Sequence, residues 1–207
     1  MSDDHGVHAK LFAGLLGAAG TATPAEVAGR AGVSADAAAE TLSSLEREGL
    51  LQLMPGGAYR AARLDSREVR ELYPVVLLLE STAVRDGPEP DAETIAALRG
   101  ANERLRASED ADSASAADDD FHRALTSCCG NERLLAMVDP VRRALLDYER
   151  VYMATPERRA RSAAQHDEII AALEAHDRGR AADLVRANFT SALPDLTAAL
   201  DARPGNG

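Results

Sequence analysis

Asp118 and His122 lie four residues apart in ADDDFHRAL. On a helix this spacing stacks them on one face, and Phe121 and Leu125 fall beside them on the apolar stripe. A carboxylate and an imidazole that face a core need a partner, because burying them unpaired is costly. A divalent cation is one such partner. Two later segments carry the same anomaly: His166 in QHDEIIAAL and Asn188 in LVRANFTSAL are polar residues on the inward faces of apparent helices. The competing account of these residues is a hydrogen-bonded polar cluster in a core, with water inside it. Asp119 or Asp120 takes the place of Asp118 if the helix is shifted in phase.

The elements that must position these groups are mostly helical. The chain has 207 residues, enough for one large domain or two small ones. Apolar residues make up 45% but aromatics only 3%, so helices in close, small-residue contact are expected to form the core. A net charge of −11 argues against a nonspecific polyanion binder, though not against a local basic patch. The two cysteines, Cys128 and Cys129, are adjacent, which leaves no spaced pair for a disulfide or a zinc knuckle; the expected location is cytoplasmic. No charged leader precedes an apolar run, and the longest apolar run, residues 75–79, is too short to cross a bilayer, so no membrane role is expected.

Residues 1–63 form the first expected domain. Leu11, Phe12, Leu15 and Leu16 are spaced for a helix over residues 8–19. Thr23, Pro24 and Glu26 then make a capping box with proline at the first helical position. Gly32 closes that short helix, and Ser34 caps the next, which runs from Ala35 to Glu48 with Leu42 and Leu45 inward. Residues 50–60 read as two short strands around Pro55-Gly56-Gly57. This order resembles a winged helix-turn-helix, with residues 35–48 as the recognition helix. The chemistry fits DNA less well than the shape does. Asp36 and Glu40 lie near the start of that helix, and residues 1–63 hold five Lys or Arg against seven Asp or Glu, a net of −2. Arg30, Arg47 and Arg60 could supply a small basic patch, and Ser43 and Ser44 could bond to phosphate or base edges; a merely solvated Arg30 and Arg47 is the alternative.

Residues 67–203 form the second expected domain, an all-α bundle of six or seven helices. Ser66 is expected to cap its first helix, which Pro74 either kinks or starts; Asp91 caps the second. The small, polar stretch 107–118 is expected to be a loop followed by a helix start. Asn131 caps the helix after Gly130, and Pro140 bends it. A basic turn at Arg158-Arg159-Arg161 precedes a helix from Ser162 to His176, and the last long helix carries Asn188. His176 and the basic cluster read as solvated, and the cysteine pair as packed small residues.

Three segments, REVRELYPVVLLLE, DDDFHRALTSCCGNERL and QHDEIIAALEAHDRGRAADLVRANF, resemble in order and spacing the effector-binding FCD domain of the FadR branch of GntR-type transcription regulators. The resemblance covers about residues 67–193, with the winged helix in the expected place before it. It implies a dimeric DNA-binding regulator whose bundle binds a small organic acid, in many members beside a metal held by an Asp, a His four residues on, and two later His. Carried onto this chain, the Asp is Asp118 and the His are His122 and His166; the last position is Asn188. A carboxamide oxygen is a weaker donor than imidazole for zinc or nickel, so three firm ligands remain, with open coordination positions. The family often has an arginine where this chain has Val76, four residues before Glu80, and that arginine commonly meets the effector's carboxylate. Arg123, Arg142, Arg143 and Tyr148 are the candidates to replace it.

The expected function is a homodimeric, ligand-responsive transcription regulator. Its partners would be a DNA operator and a carboxylate effector, and its cofactor a divalent metal (zinc, nickel, manganese or iron). The alternative is a metal-dependent enzyme on a regulator-derived scaffold, using Asp118, His122 and His166 with DNA binding lost; such a metal could activate water or polarise a carbonyl.

Overall fold

The computed structural model describes residues 21–47, 51–61 and 65–202. The chain divides into two compact units, Met1–Arg63 and Leu64–Gly207. The expected helix over residues 8–19 lies outside the described residues.

In the first unit, β1 (Thr21–Ala22) leads into α1 (Pro24–Ala31) and α2 (Ala35–Arg47), followed by β2 (Leu51–Leu53) and β3 (Tyr59–Ala61). The Thr23 hydroxyl accepts the Glu26 N–H at 3.3 Å and the Glu26 carboxylate accepts the Thr23 N–H at 2.8 Å, which satisfies two orphan donors of α1 at once. Gly32, at φ 67, ends that helix, and the Ser34 hydroxyl accepts the Ala37 N–H at 3.1 Å to start the next. β2 and β3 form the wing hairpin, with Gly56 and Gly57 at positive φ in its tip. β1, which the sequence reading does not anticipate, pairs antiparallel with β3 and gives the sheet order β1-β3-β2. Two residues are too few to show an alternating pattern. Val27, Ala38, Leu42, Leu45, Leu51 and Tyr59 close a small core between the helices and the sheet. This is a winged helix-turn-helix.

The second unit is an all-α bundle: α3 (Ser66–Asp86), α4 (Ala92–Ala107), α5 (Ala111–Ser127), α6 (Glu132–Tyr152), α7 (Pro156–Glu174) and α8 (Arg178–Asp201). Each begins with a side-chain cap: Asp65, Asp91, Asp110, Asn131, Thr155 and Asp177 each accept a first-turn N–H. Two boundaries differ from expectation, the cap of α3 and the start of α7. The cap of α3 is Asp65 rather than Ser66, because the Asp65 carboxylate takes the Arg67 N–H at 2.8 Å. Within 107–118 the expected loop and helix start are found at residues 108–110 and at Ala111, where Asp110 accepts the Ser113 N–H at 2.7 Å and Ala114, Ser115 and Ala117 turn a buried, small-residue face inward. The Arg158-Arg159-Arg161 segment is the first turns of one continuous α7 rather than a separate element. Pro74 and Pro140 lie inside α3 and α6, each exposed, so the carbonyl each leaves unpaired four residues back can turn to solvent.

α3 lies along α8 and also packs on α5 and α6; α4 packs on α5 and α7, and α7 on α8. Val69, Tyr73, Phe121, Leu145, Ile169, Val185 and Leu196 belong to one continuous core. No helix among the described residues is long and apolar enough to cross a membrane.

Candidate metal centre

The site is built by stripes that are apolar except at a few places. On α5, Ala114, Ala117, Asp118, Phe121, His122 and Leu125 are buried, which is the i, i+3, i+4 stripe with two ionisable members. On α7, His166 is buried with Ala163, Ile169, Ile170 and Leu173. Asp118, His122 and His166 are 5%, 1% and 0% exposed. Their ligand atoms all lie within 4.8 Å of one another. Asp118 Oδ2 is 3.8 Å from His122 Nε2, and Asp118 Oδ1 is 3.5 Å from His166 Nε2. Neighbouring ligands on one ion, with bonds of about 2.1 Å, stand roughly 3.0–3.5 Å apart, so a small side-chain adjustment closes this set around a cation.

The three aspartates in a row have three different roles. Asp118 faces the histidines. Asp119 accepts from Arg142 at 2.9 Å and from Arg123 at 2.6 Å. Asp120 pairs on the surface with Arg104 at 2.7 Å.

Behind the triad is a layer of charge. His122 Nδ1 is 2.6 Å from Glu80 Oε2, and Glu80, on α3, is fully buried. Arg142, on α6 and 1% exposed, donates to Glu80 at 3.1 Å and to Glu149 at 3.2 Å as well as to Asp119. Burial disfavours an ionised Glu80, but His122 and Arg142 outweigh it and hold the carboxyl below its usual range. Burial also opposes a charged His122, yet Glu80 raises that imidazole above its ordinary value. His166 makes no such hydrogen bond: burial first, then His122 and Arg142, push it well below the ordinary range, and both its ring nitrogens are buried without a hydrogen-bond partner. Burial raises Asp118 as well, against the pull of His122 and Arg142.

These facts fit a divalent cation. His166 is a neutral imidazole with orphaned nitrogens, one of them facing a carboxylate. Glu80, Asp119 and Glu149 share the guanidinium of Arg142, whereas Asp118 faces His122 and His166. An ionised Asp118 is costly at this burial without a cation, and a dication at the triad would offset that cost.

Asn188 is buried on α8, and its amide nitrogen donates to Gln165 Oε1 at 2.9 Å, next to His166 in the chain. Arg123 is exposed and tied to Asp119 and Asp139; Arg143 is exposed. The Tyr148 hydroxyl accepts the Asp65 N–H at 3.2 Å and donates to Glu68, at the start of α3. In the winged unit, Arg30 is exposed and Ser44 half-buried. Ser43 shares a 3.3 Å hydrogen bond with Tyr59, Arg47 Nε donates to the Ser43 carbonyl at 3.2 Å, and Arg60 Nε donates to Gln52 at 3.1 Å.

The sequence reading does not identify Glu80 and Glu149 as members of the site. The signal for both is the one that exposes Asp118. Val69, Tyr73, Val76 and Glu80 fall on one buried stripe of α3, and Val138, Arg142, Leu145, Glu149 and Tyr152 on one stripe of α6.

The FCD-domain family matches residues 71–191, more than half of the chain, and that span contains every residue of the buried site. An HTH-type transcriptional regulator of Agrobacterium vitis, itself uncharacterised and encoded in the TAR-I ttuE-ttuC' intergenic region, is 31% identical over 111 residues; the match covers 50% of this chain and 64% of that one. Among solved structures, a GntR protein of Rhodococcus sp. RHA1 is 21% identical with a TM-score of 0.71 and 84% of each chain covered. The McbR/YncC protein of E. coli is 18% identical with a TM-score of 0.68, covering 95% of this chain and 98% of that one. A GntR-family transcriptional regulator of Pseudomonas syringae pv. tomato str. DC3000 is 22% identical with a TM-score of 0.56, over 87% and 77% of the two chains. At these identities the structural likeness is one of fold.

Proposed function

The chain belongs to the FCD-domain family, and from that membership we propose that it is a GntR-type transcription regulator whose helical unit binds a divalent metal and a small organic effector. The observation that carries the metal is the buried convergence of Asp118, His122 and His166, with His166 unpartnered at both nitrogens. Asp118 would supply the charged oxygen, and His122 and His166 their Nε2 atoms, with Asn188 as a fourth candidate. Zinc, nickel, manganese and iron all accept this mixed oxygen and nitrogen set. A bound ion with open positions supplies a Lewis-acidic point on which a chelating carboxylate can be held.

The protein's own groups do the rest. Glu80 takes the Nδ1 proton of His122 in a hydrogen bond, and the face of Phe121 supports the His166 ring. Arg123, Arg143 and Tyr148 remain the candidates for further effector contacts. The effector would act by binding one arrangement of the bundle better than another, so that the population of DNA-competent dimers changes. Two winged units are needed because one offers few phosphate contacts, from Arg30, Arg47 and Arg60 with Ser43 and Ser44. Such a homodimer would work on DNA in the cytoplasm.

The test joins two measurements on the full chain. Metal analysis with native mass spectrometry should return one divalent ion per chain in a dimer. A gel-shift titration across the gene's own upstream region should give salt-sensitive, sequence-selective binding that a carboxylate metabolite alters. Failure to select any sequence at low salt would overturn the regulator. Turnover of a metabolite by the loaded protein, abolished in His122→Ala, would favour the enzyme instead.

A further inference from the structure

The buried arginine of α6 is the least expected charge in the bundle. Arg142 directs Nε at Asp119, Nη1 at Glu80 and Nη2 at Glu149, so each of its three nitrogens already serves a carboxylate. Glu80 divides its two oxygens. Oε1 accepts from Arg142 at 3.1 Å, and Oε2 lies 2.6 Å from His122 Nδ1. An ionised carboxylate accepts and does not donate, so the short contact requires the proton on His122 Nδ1. In the neutral ring, the form that can bind a cation, the Nε2 lone pair is then left on the side of Asp118. Asp119, the one partner of Arg142 on α5, ties the same guanidinium to the helix that bears two of the metal ligands.

We propose that Glu80 and Arg142 are positioning residues of the metal site: Arg142 orients Glu80, and Glu80 fixes the His122 ring in its Nδ1–H tautomer with Nε2 toward the ion. The proposal rests on the metal reading above and deepens it. It makes the affinity of the centre depend on α3 and α6, which supply no ligand. It also removes Arg142 from the candidates for an effector anchor. With Val76 fully buried and apolar, an acidic effector finds its countercharge on the ion itself.

A purely structural network would lower stability while leaving the imidazole unchanged, and the experiment separates the two. Full-length wild type, Glu80→Gln and Arg142→Lys are compared by zinc competition against a chromophoric chelator, and by 15N spectra of the histidine rings in zinc-free protein. Glutamine keeps the shape of Glu80 but has one acceptor oxygen, so it can serve Arg142 or His122 and must present an N–H to the other. Zinc affinity is expected to fall roughly 10- to 100-fold in Glu80→Gln and about tenfold in Arg142→Lys, whose ammonium cannot reproduce the planar fork. His122 should change from one Nδ1–H tautomer to a mixture. Zinc affinity within twofold of wild type in Glu80→Gln, with the tautomer unchanged, overturns the proposal. A wild type that holds no zinc removes the metal reading; the tautomer comparison then decides the positioning claim alone. Should Arg142→Lys fail to give a folded circular-dichroism spectrum, Glu80→Gln carries the test.

Discussion

The imidazole of His166 lies flat on the ring of Phe121, with centroids 3.6 Å apart and planes 3° from parallel. The same phenyl ring meets His122 edge-on, at 5.6 Å and 85°. One apolar residue therefore borders both histidines. Stacking fixes the plane of the His166 ring, which directs Nε2 at Asp118.

Phe121→Leu tests that role. It keeps a buried apolar side chain, so the loss of stability should stay at about 1–2 kcal/mol. Zinc affinity should fall several-fold, because the leucine offers no flat surface to hold the imidazole. Chelator competition with a parallel urea titration reads both. Unchanged affinity would mean that the stack is packing and nothing more.

Metal removal should soften the bundle. A ligand present at 100 times its Kd stabilises by about 2.7 kcal/mol, and for a chain of this size each kcal/mol moves Tm by roughly 2–4 °C. Chelation of the loaded protein should therefore lower Tm by roughly 5–10 °C. The Asp118→Ala, His122→Ala double variant should show no such drop. A wild-type melting curve indifferent to zinc and to chelator would count against a bound ion.

Glu149 gives a pH signature. Burial pushes its carboxyl from 4.5 up to about 7, in spite of Arg142. Between those values the folded chain keeps a proton that the unfolded chain releases. The native state therefore binds more protons, and stability falls as pH rises through this window, by at most roughly 3 kcal/mol, then levels off above it. Glu149→Gln stays neutral throughout and should lack this component. Urea midpoints at pH 5, 6, 7 and 8 should converge or cross as pH rises, with the variant gaining on the wild type. Parallel profiles would refute the assignment.

Two glycines should respond to alanine with opposite signs. A Cβ on Gly87 would stand 2.6 Å from the Ala83 carbonyl oxygen and 3.1 Å from the Cys129 Cα, both backbone atoms that cannot swing aside. Gly87→Ala should destabilise by about 1–3 kcal/mol. Gly29 is exposed within α1 and has nothing within 4 Å of its would-be Cβ, so Gly29→Ala should stabilise the winged unit by about 0.5–1 kcal/mol. Thermal melts of the two variants decide the signs.

Local chemistry is what the sequence makes legible. Thr23, Asp91 and Asn131 announce helix starts because a cap and the N–H it accepts are three residues apart. Asp118, His122 and His166 are legible as inward-facing because Phe121, Leu125 and Ile170 lie on the same stripes. Periodicity tells which way a side chain faces but not whom it meets. Glu80 and Arg142 are 62 residues apart, and only the packing of α3 against α6 makes them partners. Tyr148, a candidate effector contact by sequence, meets Asp65 and Glu68 for the same kind of reason. The 107–118 stretch gives the loop and the helix start but not the burial of Ser115, because small polar residues are poor signals of it.

The cap at Asp110 has a consequence for how this chain can tolerate length changes. Asp118 follows it by just over two helical turns, so the angular phase of the carboxylate about α5 is counted from that cap. One added residue between them would swing every later side chain by about 100° relative to the start of the helix. Insertions there should be far less tolerated than in the Gly87–Pro90 connection, although neither would alter a single ligand.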